Sequence, residues 1–290
     1  MKCVLLTGGT GFVGSNLAKA FVANDWRVVA VVRANSDTSA LSGVETVIHD
    51  GTTESMIRLV AEARPQLCVL LAAFFTAEHG IHQIKPLIES NILFGVQLLE
   101  GMLHAGVRHL INTATTWQHY GDASYDPVCL YAATKHAFED LLTYYIQAHG
   151  FTACTLELFD IYGPGDRRPK LFNLLGRLAR NGERLSMSPG EQLIDLVHID
   201  DVVSAYLCAA ALVFAQGHEV HSRYVVSSGQ PKPLREVVAA YARIKGVSLN
   251  IDWGGRPYRS REVMTPWSGG SPLPGWAPRI ALEEGIRGLP

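Results

Sequence analysis

The sequence predicts an α/β protein with a doubly wound parallel sheet, and three observations lead to this prediction. Short apolar runs recur along residues 1–160. Segments with apolar residues at helical spacing separate these runs. Glycines follow the first run directly, at the point where a strand would turn into a helix. Apolar runs without alternation suit strands buried on both faces, and strands that alternate with helices form parallel sheets covered on both sides.

The predicted elements of the first part of the chain follow one another in strict alternation. The predicted strands are residues 3–6, 27–33, 44–49, 66–72, 109–114 and 152–159. The predicted helices are a segment that ends near residue 24, and then residues 53–63, 86–105 and 131–149. Ligands of such a sheet bind at the carboxyl ends of its strands.

After residue 160 the sequence becomes rich in turn-forming residues. Helical patterns at residues 170–181, 200–215 and 233–245 and a strand near 223–227 lie between segments rich in glycine and proline. We therefore predict two parts: a dinucleotide-binding domain over residues 1–160 and a smaller α/β lobe over residues 161–290, mainly for substrate binding.

Three glycines occupy the turn between the first predicted strand and the first helix. Gly8 permits a tight exit from the strand, Gly11 lets a pyrophosphate approach the backbone, and Gly14 allows close packing of helix on strand. The start of the helix offers unpaired N–H groups and a positive dipole end to phosphates. We predict a bound nucleotide here; a glycine-rich turn without a ligand is the alternative.

Composition restricts the class of partner. The net charge is −2, from 25 basic and 27 acidic residues, which gives no electrostatic case for nucleic acid or an anionic membrane as a partner. No apolar stretch reaches the ~18 residues of a membrane span. The five cysteines are scattered and odd in number, which indicates reduced thiols in a cytoplasmic protein, and no histidine or cysteine spacing predicts a metal.

Tyr131 and Lys135 lie four residues apart at the start of a predicted helix, and therefore on one face of it. A cation near a phenol favours the phenolate and lowers the tyrosine pKa. Such a tyrosine can give a proton to a carbonyl oxygen or take one from an alcohol, which is the proton half of a hydride transfer. The alternative is a surface helix on which the pair has no catalytic role.

The order of these motifs resembles the extended short-chain dehydrogenase/reductase family, the NAD-dependent epimerases and dehydratases that act on nucleotide sugars. The resemblance implies a Rossmann-type fold. The segments that carry it are residues 7–14, 71–73, 89–91, 115–121, 131–135, 161–164 and 195–201.

The resemblance implies a role for each matching residue. Tyr131 would be the acid/base, Lys135 would hold the nicotinamide ribose and tune the tyrosine, and Thr116 would replace the usual catalytic serine. Asn91 would support the site. Cofactor contacts would come from Gly8, Gly11, Phe12, Val13, Gly14, Arg33, Asp50, Gly51, Leu71, Ala72, Ala73, Asn91, Thr115, Tyr131 and Lys135.

The end of the second predicted strand bears on the choice of cofactor. An acidic residue there suits the ribose hydroxyl of NAD, whereas a basic one suits the 2′-phosphate of NADP. This chain has Arg33 at that point and no acidic residue before Asp37. NADP is therefore favoured, and NAD stays possible because Arg33 could instead stack on the adenine.

Departures from the family pattern argue against a 4,6-dehydratase. Trp117 and Gln118 stand where dehydratases carry Asp-Glu, and neither side chain exchanges protons at neutral pH. Glu157 and Asp160 replace an arginine and an asparagine of many members, and residues 193–194 are apolar where an arginine is frequent. The remaining likeness is to deoxysugar 4-ketoreductases such as CDP-abequose and CDP-paratose synthases.

We therefore expect an NADPH-dependent reductase of a nucleotide-linked 4-keto-6-deoxyhexose. A nucleotide-sugar 4-epimerase with tightly held NAD is one alternative, and a non-catalytic dinucleotide-binding sensor is another. A homodimer is expected by analogy, through the apolar helices 86–105 and 131–149. The predicted substrate-binding residues are Thr116, Trp117, Arg167, Lys170, Asn173 and Arg259, with Arg168 and Arg177 as further candidates.

Overall fold

The computed structural model of the chain describes residues 1–217 and 219–290. Its strands, in chain order, are β1 (Cys3–Thr7), β2 (Arg27–Val32), β3 (Glu45–Ile48), β4 (Leu67–Leu70), β5 (His109–Thr115), β6 (Thr152–Leu158), β7 (Asp160–Tyr162), β8 (Arg184–Met187), β9 (Leu193–Ile194), β10 (Leu196–His198), β11 (His221–Val226), β12 (Lys232–Pro233) and β13 (Asn250–Trp253).

Helices cover most of the remaining regular structure. They are α1 (Phe12–Ala23), α2 (Thr53–Ala63), α3 (Ile84–Ile88), α4 (Phe94–His104), α5 (Leu130–His149), α6 (Leu171–Asn181), α7 (Ile199–Ala215), α8 (Leu234–Lys245) and α9 (Leu282–Arg287). A π-helical turn, Glu89–Leu93, joins α3 to α4, and short 3₁₀ turns lie at Ile81–Gln83, Thr116–Gln118 and Tyr120–Asp122. None of the helices in the described ranges is long and apolar enough to cross a membrane.

The main sheet has the strand order β11-β6-β5-β4-β1-β2-β3, and every neighbouring pair is parallel. The order reverses between β1 and β4, so the sheet is doubly wound and its ligand crevice lies at that point. The predicted fold class is confirmed.

Two apolar layers cover the faces of the sheet. On one face, Leu17 and Phe21 of α1 pack with Tyr206 of α7 against the strands. On the other, Met56 of α2, the apolar side of α4 and Phe138 of α5 form a second buried layer. Because both faces are covered along the inner strands, β1, β2 and β4 are continuous apolar runs, which is why they could be recognised in the sequence.

The boundary predicted at residue 160 differs from the structure. Strand β11 pairs with β6 along Ala153 to Leu158, and helix α7 packs in the same layer as α1. Both elements come from the part assigned to the smaller lobe. Turn-rich sequence on either side of them suggested a separate unit, but their apolar faces belong to the main core. The assignment of the rest of residues 161–290 to substrate binding stays a prediction.

The smaller lobe has its own core beside the carboxyl ends of the main strands. Helices α6, α8 and α9 contribute Leu175, Val237 and Ile286, which are all fully buried. Short strand pairs complete it: β8 with β13, β9 with β12, and β7 with β10.

A segment from residue 258 to 272, the return segment, leads from the smaller lobe back to the main sheet. Trp267 stacks on His119, and Arg261 forms an ion pair with Asp126. Pro272 then bridges to β11. The return segment therefore ties the loop after β5 to the smaller lobe.

Candidate active site

The glycine turn after β1 makes a cradle in which there is no room for side chains. Gly8 has a φ of 68°, and a Cβ there would lie 2.7 Å from the backbone nitrogen of Ala72. A Cβ on Gly14 would lie 2.1 Å from the carbonyl oxygen of Gly8. Gly11 caps α1 without a side-chain hydrogen bond, so the helix begins with backbone N–H groups directed at the crevice. This donor set fits a pyrophosphate.

The end of β4 is held against this cradle by one hydroxyl. Thr7 Oγ1 accepts hydrogen bonds from the backbone N–H groups of Leu71 and Ala72, at 3.1 and 3.2 Å. It donates in turn to the carbonyl of Val69. The segment of Leu71, Ala72 and Ala73 therefore lies beside Gly8, where the sequence predicted cofactor contacts.

Phe12 and Val13 begin helix α1 and are both half-buried. Val13 packs against the apolar layer under α1. The guanidinium of Arg168 lies 4.9 Å from the centre of the Phe12 ring. The contact between Arg168 and Phe12 joins the loop after β7 to the start of α1.

Three further predicted cofactor residues lie at the other end of the crevice. Arg33 follows β2, and its side chain is exposed. The carboxylate of Asp50 accepts hydrogen bonds from the amide and hydroxyl of Thr52, at 2.9 and 2.6 Å. Gly51 has a φ of 96°, and its carbonyl accepts a hydrogen bond from Gln97. All three lie just after β2 or β3, at the carboxyl ends of those strands.

Asn91 joins the segment after β4 to helix α5. It is buried in the π-helical turn between α3 and α4. Its side chain accepts from the N–H of Phe74 at 2.8 Å and donates to the carbonyl of Phe74 at 3.0 Å and to Thr134 Oγ1 at 2.9 Å. Thr134 then donates to the carbonyl of Tyr131. Asn91 is thus a clamp between two segments of the site.

Tyr131 and Lys135 occupy the first turns of α5, and burial shifts the pKa of both. Burial raises the pKa of Tyr131 and lowers the pKa of Lys135 to about 8, with the Glu139 carboxylate opposing the second shift. The prediction that Lys135 lowers the pKa of Tyr131 is therefore wrong for the protein without ligands. The cost of burying a phenolate is larger than the favourable effect of a nearby cation. Tyr131 is a protonated phenol at neutral pH, the form that can donate a proton.

Thr115 and Thr116 end β5 and begin the following 3₁₀ turn. Thr115 Oγ1 caps this turn by accepting from the N–H of Trp117 at 3.3 Å. Thr116 is buried, and its hydroxyl donates to the carbonyl of Leu158 at 3.4 Å. Its weak bond leaves the hydroxyl able to turn toward another acceptor.

Phe75 is a site residue that the sequence did not single out. Its ring packs edge-on against Tyr131, with centroids 5.0 Å apart, and lies 5.6 Å from the ring of Trp117. Lys170 lies over the Phe75 ring and Arg259 over that of Trp117. The position of Phe75, two residues after the predicted 71–73 contact segment, could have indicated it.

A cavity of about 870 Å³ opens between the two parts of the chain. Three of the predicted substrate residues line it: Lys170, Asn173 and Arg259. Arg180 and Arg256 also line it and were missed, because an isolated arginine has no local pattern. Thr116 and Trp117 line an adjoining recess of about 70 Å³, and Arg259 and Glu262 are common to both walls.

Two basic residues of the cavity wall, Lys170 and Arg259, form ion pairs with acidic partners. Lys170 Nζ lies 3.1 Å from Asp160, and Arg259 lies 3.0 Å from Glu262. The amide of Asn173 donates to the carbonyls of the 166–168 loop. Asp160, one of the departures from the family pattern, therefore orients Lys170 in the cavity wall.

Other predicted arginines lie away from the cavity wall. Arg167 is exposed, and its charge acts on Asp37 in the loop after β2, beside the cofactor crevice. Arg168 pairs with Asp166, and Arg177 pairs with Glu183. The structure therefore does not bring Arg167 to the cavity with Lys170 and Asn173, because the loop turns its side chain toward the other end of the crevice.

Two more departures from the family pattern have buried partners. Gln118 donates to Glu139 at 3.0 Å, so its amide is used inside the protein. Glu157 lies 3.2 Å from Nε2 of His119, and both residues are buried. Among the described residues, no group of three or more potential ligand side chains could hold a metal ion.

Comparisons with known proteins agree with this architecture. The sequence profile of the NAD dependent epimerase/dehydratase family matches residues 4–226. CDP-abequose synthase of Yersinia pseudotuberculosis is 28% identical over 268 residues, which is 91% of each chain. UDP-glucose 4-epimerase of Mycolicibacterium smegmatis is 28% identical and covers 97% of this chain and 95% of its own.

A solved structure is similar over nearly the whole chain. The UDP-glucose 4-epimerase of Thermus thermophilus, in complex with NAD, superposes with a TM-score of 0.85 and 26% identity, covering 99% of this chain and 97% of that one. The glycine cradle and the Tyr131/Lys135 helix therefore lie on the same fold as that of this enzyme. This chain belongs to the NAD-dependent epimerase/dehydratase family.

Proposed function

We propose that this protein reduces the C4 ketone of a nucleotide-linked 4-keto-6-deoxyhexose with NADPH. The observation that carries the proposal is the position of the Tyr131 phenol: the Phe75 ring packs against both Tyr131 and Trp117, and Trp117 lines a recess that shares Arg259 with the large cavity. A reductase needs such a proton donor. The similarity to CDP-abequose synthase supports a substrate of the nucleotide-sugar class.

The cofactor proposal rests on the fit of the chain to a dinucleotide. The cradle of Gly8 and Gly14 excludes side chains and presents the start of α1, as a pyrophosphate requires. Arg33, exposed at the end of β2, suits a 2′-phosphate better than a free ribose hydroxyl. When bound, a nicotinamide dinucleotide supplies the hydride.

The chain's own residues supply the rest of the chemistry. Tyr131 donates a proton to the C4 oxygen, and the Thr116 hydroxyl holds that oxygen. Lys135 holds the nicotinamide ribose and returns a proton toward the tyrosine. Lys170, Asn173 and Arg259 bind the diphosphate of the nucleotide. Lys170 and Arg259 then exchange their ion pairs with Asp160 and Glu262 for contacts with the diphosphate.

A 4-epimerase is the second candidate, favoured by the 28% identity with the epimerase of Mycolicibacterium smegmatis along almost the full chain. An epimerase must both oxidise and reduce C4, and it retains its NAD through the cycle. A reductase must exchange its nicotinamide in each cycle. The two candidates therefore differ in cofactor retention.

The first experiment is to purify the protein, identify any co-purifying dinucleotide by absorbance and mass, and titrate it with NADPH and NADH. Turnover is then measured on 4-keto-6-deoxyhexoses linked to CDP, UDP and dTDP.

Tyr131→Phe should reduce turnover about a thousandfold with cofactor affinity unchanged. Tyr224→Phe, on the end strand β11 of the main sheet, is the control. Wild-type turnover by Tyr131→Phe would refute the acid/base assignment, and tightly held NAD would favour the epimerase.

We also propose that the protein is a homodimer. Helices α3 and α5 and the turns Ile81–Gln83 and Glu89–Leu93 expose a set of large apolar side chains: Ile81, Ile84, Ile88, Leu93, Leu141 and Tyr144. A contiguous patch of exposed apolar side chains on a globular domain marks an interface, and these six residues lie on neighbouring elements. Two copies related by a two-fold axis would bury it.

A further inference from the structure

A buried carboxylate lies one helical turn below Lys135. Glu139 is fully buried in α5, and Lys135 is 3% exposed. Residues four apart on a helix lie on the same face, so Tyr131, Lys135 and Glu139 form one row. A charged carboxylate is seldom buried without a function or a partner. The site described above makes no use of it.

Glu139 joins three separate elements around the catalytic pair. Its Oε1 accepts a hydrogen bond from Gln118 Nε2 at 3.0 Å. Gln118 is also buried, and its own Oε1 accepts from the backbone N–H of Thr115 at 3.5 Å. A single chain of contacts therefore runs from Glu139 to the turn that carries Thr116.

The second oxygen of Glu139 faces strand β11. Oε2 lies 3.2 Å from Arg223 Nη2, and among the described residues it accepts no hydrogen bond. Arg223 is partly exposed, with 40% of its side chain accessible, so the guanidinium connects the buried carboxylate to solvent. Glu139 is therefore balanced by one cation at the surface and by one in the site.

The charges around Glu139 act in opposite directions. Burial raises the pKa of Glu139, and Glu157 on β6 raises it further, whereas Arg223, Gln118 and Lys135 lower it. Burial lowers the pKa of Lys135 to about 8, and the Glu139 charge opposes this. His136, on the same helix, lies 3.3 Å from the Gln118 amide, and burial lowers its pKa.

We propose that Glu139 is a positioning residue for the catalytic pair: its buried carboxylate keeps Lys135 charged and, through Gln118, fixes the turn that carries Thr116. Gln118 occupies a position at which the sequence departs from the dehydratase pattern. In this chain its side chain links Glu139 to the turn that carries Thr116. The inference rests on the proposed function, since it assigns Lys135 the role of a charged ribose-binding group.

The test is the pH dependence of NADPH binding and of turnover in Glu139→Gln. The glutamine keeps an acceptor for Gln118 but removes the charge, so Lys135 loses its proton at lower pH. Since Lys135 must be protonated, the alkaline midpoint of NADPH affinity and of kcat should move down by about one pH unit. Asp140→Asn removes a negative charge from an exposed position of the same helix and should leave both midpoints unchanged.

A second variant keeps the proposal testable if Glu139→Gln does not fold. Arg223→Gln lies on the exposed side of the pair. Without the guanidinium, Glu139 takes up a proton at higher pH, so the acidic midpoint of NADPH affinity should move upward. An unchanged alkaline midpoint in a folded Glu139→Gln, or an unchanged acidic midpoint in Arg223→Gln, overturns the proposal.

Binding and turnover separate this inference from the proposed function. Shifted NADPH midpoints in a protein that reduces none of the keto sugars would support the role of Glu139 and overturn the reductase assignment. If the wild type reduces a keto sugar and Glu139→Gln loses the same fraction of activity at every pH, the reductase assignment is supported and the role of Glu139 is overturned. A purely structural role lowers activity without moving a midpoint.

Discussion

The rings of His119 and Trp267 stack with their centroids 3.5 Å apart and their planes 14° from parallel. This contact joins the loop after β5 to the return segment. Nε2 of His119 also lies 3.2 Å from Glu157, and its Nδ1 lies 2.7 Å from the carbonyl of Ser124. With both nitrogens facing acceptors, the imidazolium is the form that satisfies this environment.

The first prediction is that the contribution of His119 to stability depends on pH. Burial lowers its pKa, but Glu157 and the backbone carbonyls raise it by more, and the net shift is upward. A raised pKa gives stability that is complete below the unfolded value, about 6.5, and is lost as the pH rises through the folded value. His119→Gln should therefore lower the Tm more at pH ~6 than at pH ~9.

Thermal unfolding of the wild type and His119→Gln at the two pH values measures this effect. His79→Gln, at an exposed position, is the control and should change the Tm little at either pH. Equal losses at both pH values in His119→Gln would show that only the packing against Trp267 matters.

The second prediction concerns the Asn91 clamp. Asn91→Ala removes three hydrogen bonds and leaves the N–H and carbonyl of Phe74 without that partner, so the free energy of unfolding should fall by about 3 kcal/mol. Urea denaturation measures the loss. Asn24→Ala removes an exposed bond to Ala20 and should cost less than about 0.5 kcal/mol. Similar losses in the two variants would contradict the clamp.

The third prediction tests Arg33 as the selector of the cofactor. Arg33→Ala should weaken NADPH binding about 10- to 100-fold, the value of one charge-assisted phosphate contact, and change NADH binding little. Fluorescence titration gives both constants. Arg58→Ala, an exposed arginine of α2, should alter neither. A parallel loss for both cofactors would indicate that Arg33 stacks on the adenine.

The fourth prediction concerns the dimer. Ile88→Glu combined with Leu141→Glu puts two charges in the proposed interface, and sedimentation should show a monomer where the wild type sediments as a dimer. Ile48→Glu changes an even more exposed apolar residue on the edge strand β3 and should leave the dimer intact. A wild type that sediments as a monomer would refute the proposal.

The elements that could be predicted from the sequence are those whose apolar pattern is complete within a few neighbouring residues. The buried strands β1, β2, β4, β5 and β6 follow from apolar runs, and the glycine turn follows from the conformational needs of Gly8, so they could be predicted without knowledge of their neighbours. The family resemblance placed Tyr131, Lys135 and Asn91 on elements that the structure brings to one crevice. Their functional roles stay predictions.

Contacts between distant segments could not be predicted in the same way. An apolar pattern shows that a face is buried but does not identify what covers it, so β11 and α7 are predicted in the smaller lobe although they pack in the main core. Arg261 and Asp126 are 135 residues apart, and neither has a neighbour in sequence that indicates the other. The direction of Arg167 depends on the path of a loop, which is set by Asn173 and Asp166.

The pairing of β11 with β6 has a consequence for synthesis of the protein. Strand β11 follows β6 only after the α6 region and α7 have been made, so a nascent chain of 160 residues has an unpaired edge at β6. The apolar face of the sheet against which Tyr206 of α7 packs is also exposed at that stage. An open edge beside exposed apolar surface promotes association between chains. The first 160 residues expressed alone should therefore aggregate, because the apolar surface of the sheet that α7 covers in the full chain stays exposed.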